Sequence, residues 1–335
     1  MGGIRLNKPY VFVSRKIPEE ALEKLKEVFI VSVWEEDRPV PRERLLEEAK
    51  KADGFYIMLT ERIDEELLNQ AKHLKAISIM AVGYDNINLP LATEKGIVVT
   101  HTPGVLSDTT ADLTFALLMA TARRITEANR YVLEGKWDSW GPMLMAGQDV
   151  YGATIGIIGM GRIGEAVAKR AKGFDMKILY HNRKRRIEVE EQLGAEYRSL
   201  EDLLKESDFV VLLTPLTPET EKLMGKREFS LMKSSSIFIN VSRGATVDEE
   251  ALYEALVQKN IWAAGLDVFR EEPIPMDHPL LTLENVVVLP HIGSASISTR
   301  KRMAMMAANG LIDALNGKKP NHMVNPEVWN NGEKA

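Results

Sequence analysis

The stretch TIGIIGMGRIGEAVAKRAKGF, residues 154–174, restricts the fold more than any other part of the chain. An apolar β-branched run leads into Gly159-Met160-Gly161-Arg162-Ile163-Gly164, and apolar residues at helical spacing follow. A G-x-G-x-x-G alone is a weak signal, but between a strand and a helix it predicts a βα unit of a parallel sheet with a dinucleotide-binding turn. The first glycine permits the tight turn, the second lets the backbone approach a pyrophosphate, and the third allows close packing of helix on strand. The helix start then offers unpaired N–H groups and a positive dipole end to phosphates.

The same rhythm extends in both directions. Strands are expected over 10–14, 31–34, 54–59, 77–81 and 97–100, with helices over 18–27 and 42–51. A second series of strands is expected over 154–159, 177–180, 209–213, 237–241, 263–267 and 286–289. Strands alternating with helices point to parallel sheets covered on both faces. Long helices are expected over 109–126, ending at Arg123-Arg124, and over 296–316. A length of 335 residues suits two domains. The fold class is therefore α/β, with two doubly wound parallel-sheet domains. Residues 104–290 form a dinucleotide-binding domain inserted between 1–103 and 291–335, which together make a discontinuous substrate domain. The crevice between such domains is the expected ligand site.

Composition removes several alternatives. Hydrophobic residues make up 45% and charged residues 27%, enough apolar material for two cores. A net charge of −5 argues against nucleic acid as a partner. With no cysteine there is no disulfide, thiolate nucleophile or Cys-ligated zinc, which fits a reducing cytoplasm. The six histidines include no pair at helical ligand spacing, and no G-x-S-x-G elbow occurs, so neither a metal hydrolase nor a serine hydrolase is supported. Arg5, Lys8, Arg15 and Lys16 precede any long apolar run, and the uncharged stretch 113–122 is too short to span a bilayer. A cytoplasmic protein without metal or membrane contact is expected.

The second strand of the glycine unit ends in Tyr180-His181-Asn182-Arg183-Lys184. Asn182 stands near where an acid would bind the adenosine ribose of NAD, and no acid occurs until Glu188. Arg183, Lys184, Arg185 and Arg186 crowd the turn instead. A carboxylate would repel a 2′-phosphate, whereas an amide with cations accepts one. NADP(H) is the preferred cofactor on this reading, with NAD(H) possible; the plainer alternative is a solvated basic turn.

Three polar residues follow strands of the second series: Arg243 after 237–241, Glu272 after 263–267 and His291 after 286–289. Reduction of a 2-oxo acid calls for such a trio. A guanidinium grips the carboxylate and carbonyl oxygen, an imidazolium supplies a proton, and a carboxylate orients the imidazole and favours its charged form. A loop Arg or His alone is more often structural; the three after a dinucleotide turn are a stronger signal.

The chain resembles the D-isomer-specific 2-hydroxyacid dehydrogenases, and most closely the glyoxylate/hydroxypyruvate reductase branch. The resemblance is carried by AVGYDNI at 81–87, GIIGMGRIG at 156–164, NVSRGATVDEEAL at 240–252, AAGLDVFREEP at 263–273 and LPHIGSAS at 289–296. It implies a Rossmann cofactor domain inserted into a flavodoxin-like substrate domain. By the same resemblance Arg243 binds substrate, His291 is the acid/base and Glu272 its partner. Substrate would also meet the backbone N–H groups of Val82 and Gly83, and Leu59. The cofactor would be held by Thr110, Gly159, Met160, Gly161, Arg162, Ile163, Gly164, Asn182, Arg183, Lys184, Thr214, Pro215, Val241, Ser242, Arg243, Asp267, His291 and Gly293. The irregular segment 137–152 is similar to the family's dimerisation loop. Its Trp137-Asp138-Ser139-Trp140 matches a W-x-x-W whose second Trp enters the partner subunit's pocket, which makes Trp140 a substrate-site candidate in a homodimer.

The resemblance leaves alternatives open. Formate dehydrogenases carry Gln where Glu272 stands, so formate is disfavoured. 2-Ketogluconate reductases match almost as well. A nucleotide-sensing, corepressor-like binding module of the same family is the alternative of another class.

Overall fold

The computed structural model of the chain describes residues 8–332, so Arg5 lies outside the described residues. It resolves into two compact units. One comprises the residues up to Leu106 together with those from Ser296 onward, and the other is Ser107–Ala295.

The first unit is built on five parallel strands: β1 (Tyr10–Val13), β2 (Ile30–Val33), β3 (Gly54–Ile57), β4 (Ala76–Ile79) and β5 (Val98–Thr100). Their order across the sheet is β2-β1-β3-β4-β5, the flavodoxin-like arrangement. Every residue of β3 and β4 is buried, as expected where helices cover both faces. The helix Ile297–Leu315 covers one face. The Tyr56 hydroxyl donates to the Ala304 carbonyl at 3.1 Å and the Ser78 hydroxyl to the Ala307 carbonyl at 2.7 Å. The opposite face packs Phe12, Phe55, Ile57, Leu67, Ile77 and Val99 into one apolar cluster.

The second unit has seven parallel strands: β6 (Thr154–Ile158), β7 (Lys177–His181), β8 (Glu196–Tyr197), β9 (Phe209–Leu212), β10 (Ile237–Asn240), β11 (Ala263–Leu266) and β12 (Val286–Val288). The order β12-β11-β10-β9-β6-β7-β8 reverses direction between β6 and β9, the doubly wound pattern with one additional strand. The helices Ser107–Ala122 and Arg162–Lys172 lie together, tied by Arg170, whose guanidinium reaches the Asp112 carboxylate at 2.6 Å and the Asp108 carbonyl at 3.1 Å. The segment Leu289–Ala295 belongs to this unit because it is bonded to β11: the Leu289 N–H donates to the Leu266 carbonyl and the His291 N–H to the Asp267 carbonyl.

Two expectations need correction. The helix expected over 109–126 ends at Ala122, and a separate helix, Ile125–Leu133, follows. Arg124 adopts a left-handed backbone (φ 53°), which breaks the helical hydrogen-bond ladder, and its guanidinium fork closes on Glu127 at 2.6 and 2.8 Å. Strand β8 has no counterpart in the sequence reading, because two residues are too few to carry an alternating pattern.

Among the described residues no helix is long and apolar enough to cross a membrane. No group of three or more His, Asp or Glu side chains among them is placed to hold a metal ion.

Candidate active site

In the second unit the expected residues gather at the carboxyl ends of successive strands, where ligands of doubly wound sheets bind. The glycine turn follows β6. Gly159 has φ 104°, and a Cβ there would lie 2.9 Å from the Leu213 carbonyl carbon. A Cβ on Gly164 would come within 2.3 Å of the Gly159 carbonyl oxygen, so the helix can meet the turn only through glycine. At Gly161 a Cβ would meet nothing within 4 Å. That residue caps the helix Arg162–Lys172 without a side-chain bond, leaving its first-turn N–H groups to an external acceptor. The Thr214 hydroxyl, in the segment that closes on Gly159, is buried without a hydrogen-bond partner. An open cradle, uncapped N–H groups and an orphan hydroxyl at a sheet switch point fit a dinucleotide pyrophosphate.

Beyond β7 the four cations divide. Arg185 grips Glu190 at 2.6 and 3.0 Å, and Arg186 binds Glu188 while donating to the Met160 carbonyl at 3.1 Å. Arg183 and Lys184 are exposed and make no ion pair among the described residues; the nearby charge on Arg183 helps hold the Glu219 carboxyl low, behind the larger effect of the Thr217 hydroxyl. Asn182 is half-buried, and its side-chain oxygen accepts from the Met160 N–H at 2.8 Å. It ties the end of β7 to the glycine turn. Met160 is itself buried in the core, and its N–H and carbonyl are engaged by Asn182 and Arg186.

The trio follows the ends of β10, β11 and β12. Glu272 and His291 meet at 2.7 Å through Oε2 and Nδ1, leaving Nε2 as the nitrogen not engaged in this pair. The other Glu272 oxygen accepts from the Phe269 N–H at 2.9 Å. Burial pushes the Glu272 carboxyl up, but its bond and attraction to His291, the Phe269 N–H and the charge of Arg243 outweigh burial and hold it below the usual glutamate range. Arg243 follows β10 and donates through one guanidinium nitrogen to the Ser242 carbonyl at 2.9 Å.

Asp267 has a clear part in placing His291, which the sequence reading does not assign. Its two carboxylate oxygens accept from the Ile292 and Gly293 N–H groups, each at 2.8 Å, and its carbonyl accepts from the His291 N–H. These bonds hold His291 in the left-handed region (φ 55°), which a non-glycine residue adopts only when its surroundings impose it. Burial raises the Asp267 carboxyl above its ordinary range, against the two N–H groups and the His291 charge, which act to lower it. A Cβ on Gly293 would be 3.4 Å from the Thr110 methyl and 3.5 Å from Val241, so these three expected cofactor residues share one spot.

In the first unit, Leu59, Val82 and Gly83 lie in loops at the carboxyl ends of β3 and β4, beside the point where strand order reverses between β1 and β3. The buried Glu61 carboxylate organises this edge, accepting from the Ser14 hydroxyl at 2.6 Å, the Met58 N–H at 2.7 Å and the Thr60 hydroxyl at 2.6 Å. The Asn86 amide donates to the Met58 and Glu61 carbonyls, joining the loop of Leu59 to that of Val82. His101 Nδ1 lies 2.8 Å from the Val82 carbonyl and carries its proton there. Glu61 is signalled by no local pattern, and Asn86 only by its place in the AVGYDNI stretch. Trp140 lies on the irregular segment of the second unit and is 80% exposed.

A parallel-sheet crevice with a pyrophosphate turn and a His–carboxylate pair defines a nicotinamide-dependent oxidoreductase as the class of protein. Residues 115–293 match the NAD-binding domain of the D-isomer-specific 2-hydroxyacid dehydrogenases. A glyoxylate reductase of Korarchaeum cryptofilum is 53% identical over 322 residues, covering 96% of this chain and 97% of that protein. Among solved structures, a Thermus thermophilus protein is 46% identical with a TM-score of 0.89, covering 94% of this chain and 99% of the other. An NADPH-dependent glyoxylate/hydroxypyruvate reductase from Sinorhizobium meliloti, solved with NADP and malonate, is 32% identical with a TM-score of 0.82, covering 95% and 97%. The chain belongs to the D-isomer-specific 2-hydroxyacid dehydrogenases, NAD(P)-dependent enzymes.

Proposed function

We propose that the chain reduces small 2-oxo acids, glyoxylate and hydroxypyruvate foremost, to the corresponding 2-hydroxy acids with NADPH as preferred reductant. The observation that carries this reading is the 2.7 Å Glu272–His291 pair at the same sheet edge as Arg243 and the glycine turn. A reduced nicotinamide cofactor held at the glycine turn would supply the hydride that the carbonyl carbon accepts. As the C–O π pair moves onto oxygen, His291 gives that oxygen the proton on Nε2, the nitrogen not engaged by Glu272. Glu272 keeps the imidazole oriented and favours its protonated form. The Arg243 guanidinium pairs with the substrate carboxylate and carbonyl oxygen, and the Val82 and Gly83 N–H groups add donors for the carboxylate.

Arg183 and Lys184, outside the ion pairs that occupy Arg185 and Arg186, support the 2′-phosphate preference. The relatives' names, glyoxylate reductase and NADPH-dependent glyoxylate/hydroxypyruvate reductase, support substrate and cofactor alike. A homodimer is supported by the large apolar side chains left exposed from Ile125 through Leu133, Trp137 and Trp140 to Met143, more than a monomer surface ordinarily carries. The cysteine-free sequence suits a reducing cytoplasm.

Oxidation of NADPH and NADH with glyoxylate, hydroxypyruvate, pyruvate and 2-ketogluconate, measured in parallel, tests the proposal. Fast NADPH turnover with the two small acids is expected. Preference for 2-ketogluconate would move the substrate while keeping the chemistry, and tight NADPH binding without turnover of any acid would favour a sensing module.

A further inference from the structure

The loop that carries Glu272 is held from behind by a second carboxylate. Glu249 opens the helix Glu249–Val257, whose start is fixed by the Asp248 N-cap and by the Asp248 N–H donating to the Met224 carbonyl. Its Oε1 accepts from the Arg270 N–H at 2.8 Å, and its Oε2 lies 3.2 Å from His278 Nε2. His278 Nδ1 accepts from the Leu280 N–H, which leaves the imidazole proton on Nε2 facing Glu249. Both carboxylate oxygens are therefore used, and they grip the loop on each side of Glu272. The adjacent N–H, that of Phe269, is the one that holds Glu272. Consecutive peptide groups thus face two carboxylates, one at the proposed site and one behind it. A Cβ on Gly244 would fall 1.8 Å from the Phe269 carbonyl carbon, so the turn after Arg243 presses on the same peptide.

We infer that Glu249, locked by His278, is a positioning residue for the Glu272–His291 pair, acting through the Phe269–Arg270 segment. This rests on the proposed function, since Glu272 matters only if His291 delivers the proton. Releasing the Arg270 N–H would let this segment relax and move the Glu272 carboxylate relative to His291. A misplacement of about 1 Å can cost about 100-fold in turnover, so a shift of a fraction of that corresponds to about ten-fold.

The test is a double-mutant cycle on the full-length enzyme, with NADPH and its fastest 2-oxo acid. Glu249→Ala should lower kcat about ten-fold while the Kd for NADPH changes less than about two-fold and the fold survives by thermal unfolding. In a Glu272→Gln background the same change should cost less than about two-fold, because the group it positions no longer holds the imidazolium. The alkaline limb of kcat should move to lower pH in Glu249→Ala, in the same direction as expected for Glu272→Gln. The neighbouring charges, Asp267 beside His291 and Arg243 beside Glu272, are untouched by either change. Glu249→Gln, which keeps one acceptor for the Arg270 N–H, should restore most of the turnover and serves as the probe if the alanine variant does not fold. A full ten-fold cost in the Glu272→Gln background, or an unmoved alkaline limb, would overturn the role of Glu249 alone. Wild-type behaviour of Glu272→Gln itself would overturn both this inference and the proposed pair.

Discussion

Glu272→Gln removes a charge while keeping the shape of the side chain. In the native pair the carboxylate lies 2.7 Å from His291 Nδ1, with 35% of the Glu272 side chain and 29% of the His291 side chain still exposed. Charge-assisted hydrogen bonds contribute about 1.5–3 kcal/mol. Exposure on this scale screens the pair and argues for the lower end, about 1.5 kcal/mol. That energy favours the imidazolium over the neutral ring, so its loss should move the alkaline limb of the reduction rate toward lower pH. At a fixed pH on that limb, kcat should fall about ten-fold. On the acid side, where the ring is protonated with or without its partner, the two enzymes should converge. Stopped-flow NADPH oxidation across pH 5–9 reads both. A loss of the same factor at every pH would refute the electrostatic reasoning, and a profile flat across this range in the wild type would refute proton donation by His291.

Stability should follow the same pair with the opposite pH sense. The Glu272 carboxyl is lowered in the folded protein, so its contribution is complete above the ordinary glutamate value of about 4.3 and is lost as pH falls through the lowered value. The gap in Tm between wild type and Glu272→Gln should therefore close below about pH 4, by differential scanning calorimetry. Asp267→Asn can accept only one of the Ile292 and Gly293 N–H groups and should destabilise the protein by about 1–3 kcal/mol in urea titration, with kcat reduced as His291 leaves its left-handed conformation. Arg183→Ala with Lys184→Ala should weaken NADPH binding roughly ten-fold or more while leaving NADH within about two-fold, by fluorescence titration. Leu133→Asp, at a side chain 79% exposed, should shift the chain from dimer to monomer in sedimentation, with Tm of the monomer little changed.

What the sequence makes legible depends on how far apart the interacting residues are. The strands of both sheets, β8 apart, are readable because each is a local apolar run bounded by turn signals. The glycine turn is readable because three spaced glycines report a close approach that no other residue allows, as the 2.3 Å contact at Gly164 demonstrates. The helix break at Arg124 is hidden: apolar residues continue through Ile125, Val132 and Leu133, which in the structure are exposed rather than packed. The pairing of Arg185 and Arg186 has a visible signal in Glu188 and Glu190 close downstream, whereas four cations read only as a cluster. The clamping roles of Glu61, Glu249 and Asp267 are hidden for a different reason. Each is a single carboxylate whose partners are backbone N–H groups or side chains, many of them distant in sequence, and backbone N–H groups carry no residue identity.

Those three carboxylates share a physical logic. Each lies at the carboxyl edge of its sheet or behind a loop there, and each uses both oxygens on donors from loops that follow strands. Such loops lack the ladder that fixes strands, so their backbone donors need acceptors from elsewhere. A carboxylate supplies two strong acceptors at a fixed spacing and can thereby pin two points at once. Asp267 pins the turn after β12 that presents His291, while Glu249 pins the loop after β11 that presents Glu272. His291 and Glu272 are thus set by two independent clamps on neighbouring strand ends, and the 2.7 Å between them is their joint result. Loss of either clamp should then register first in the pH dependence of turnover, before cofactor affinity changes, because the glycine turn after β6 draws on neither.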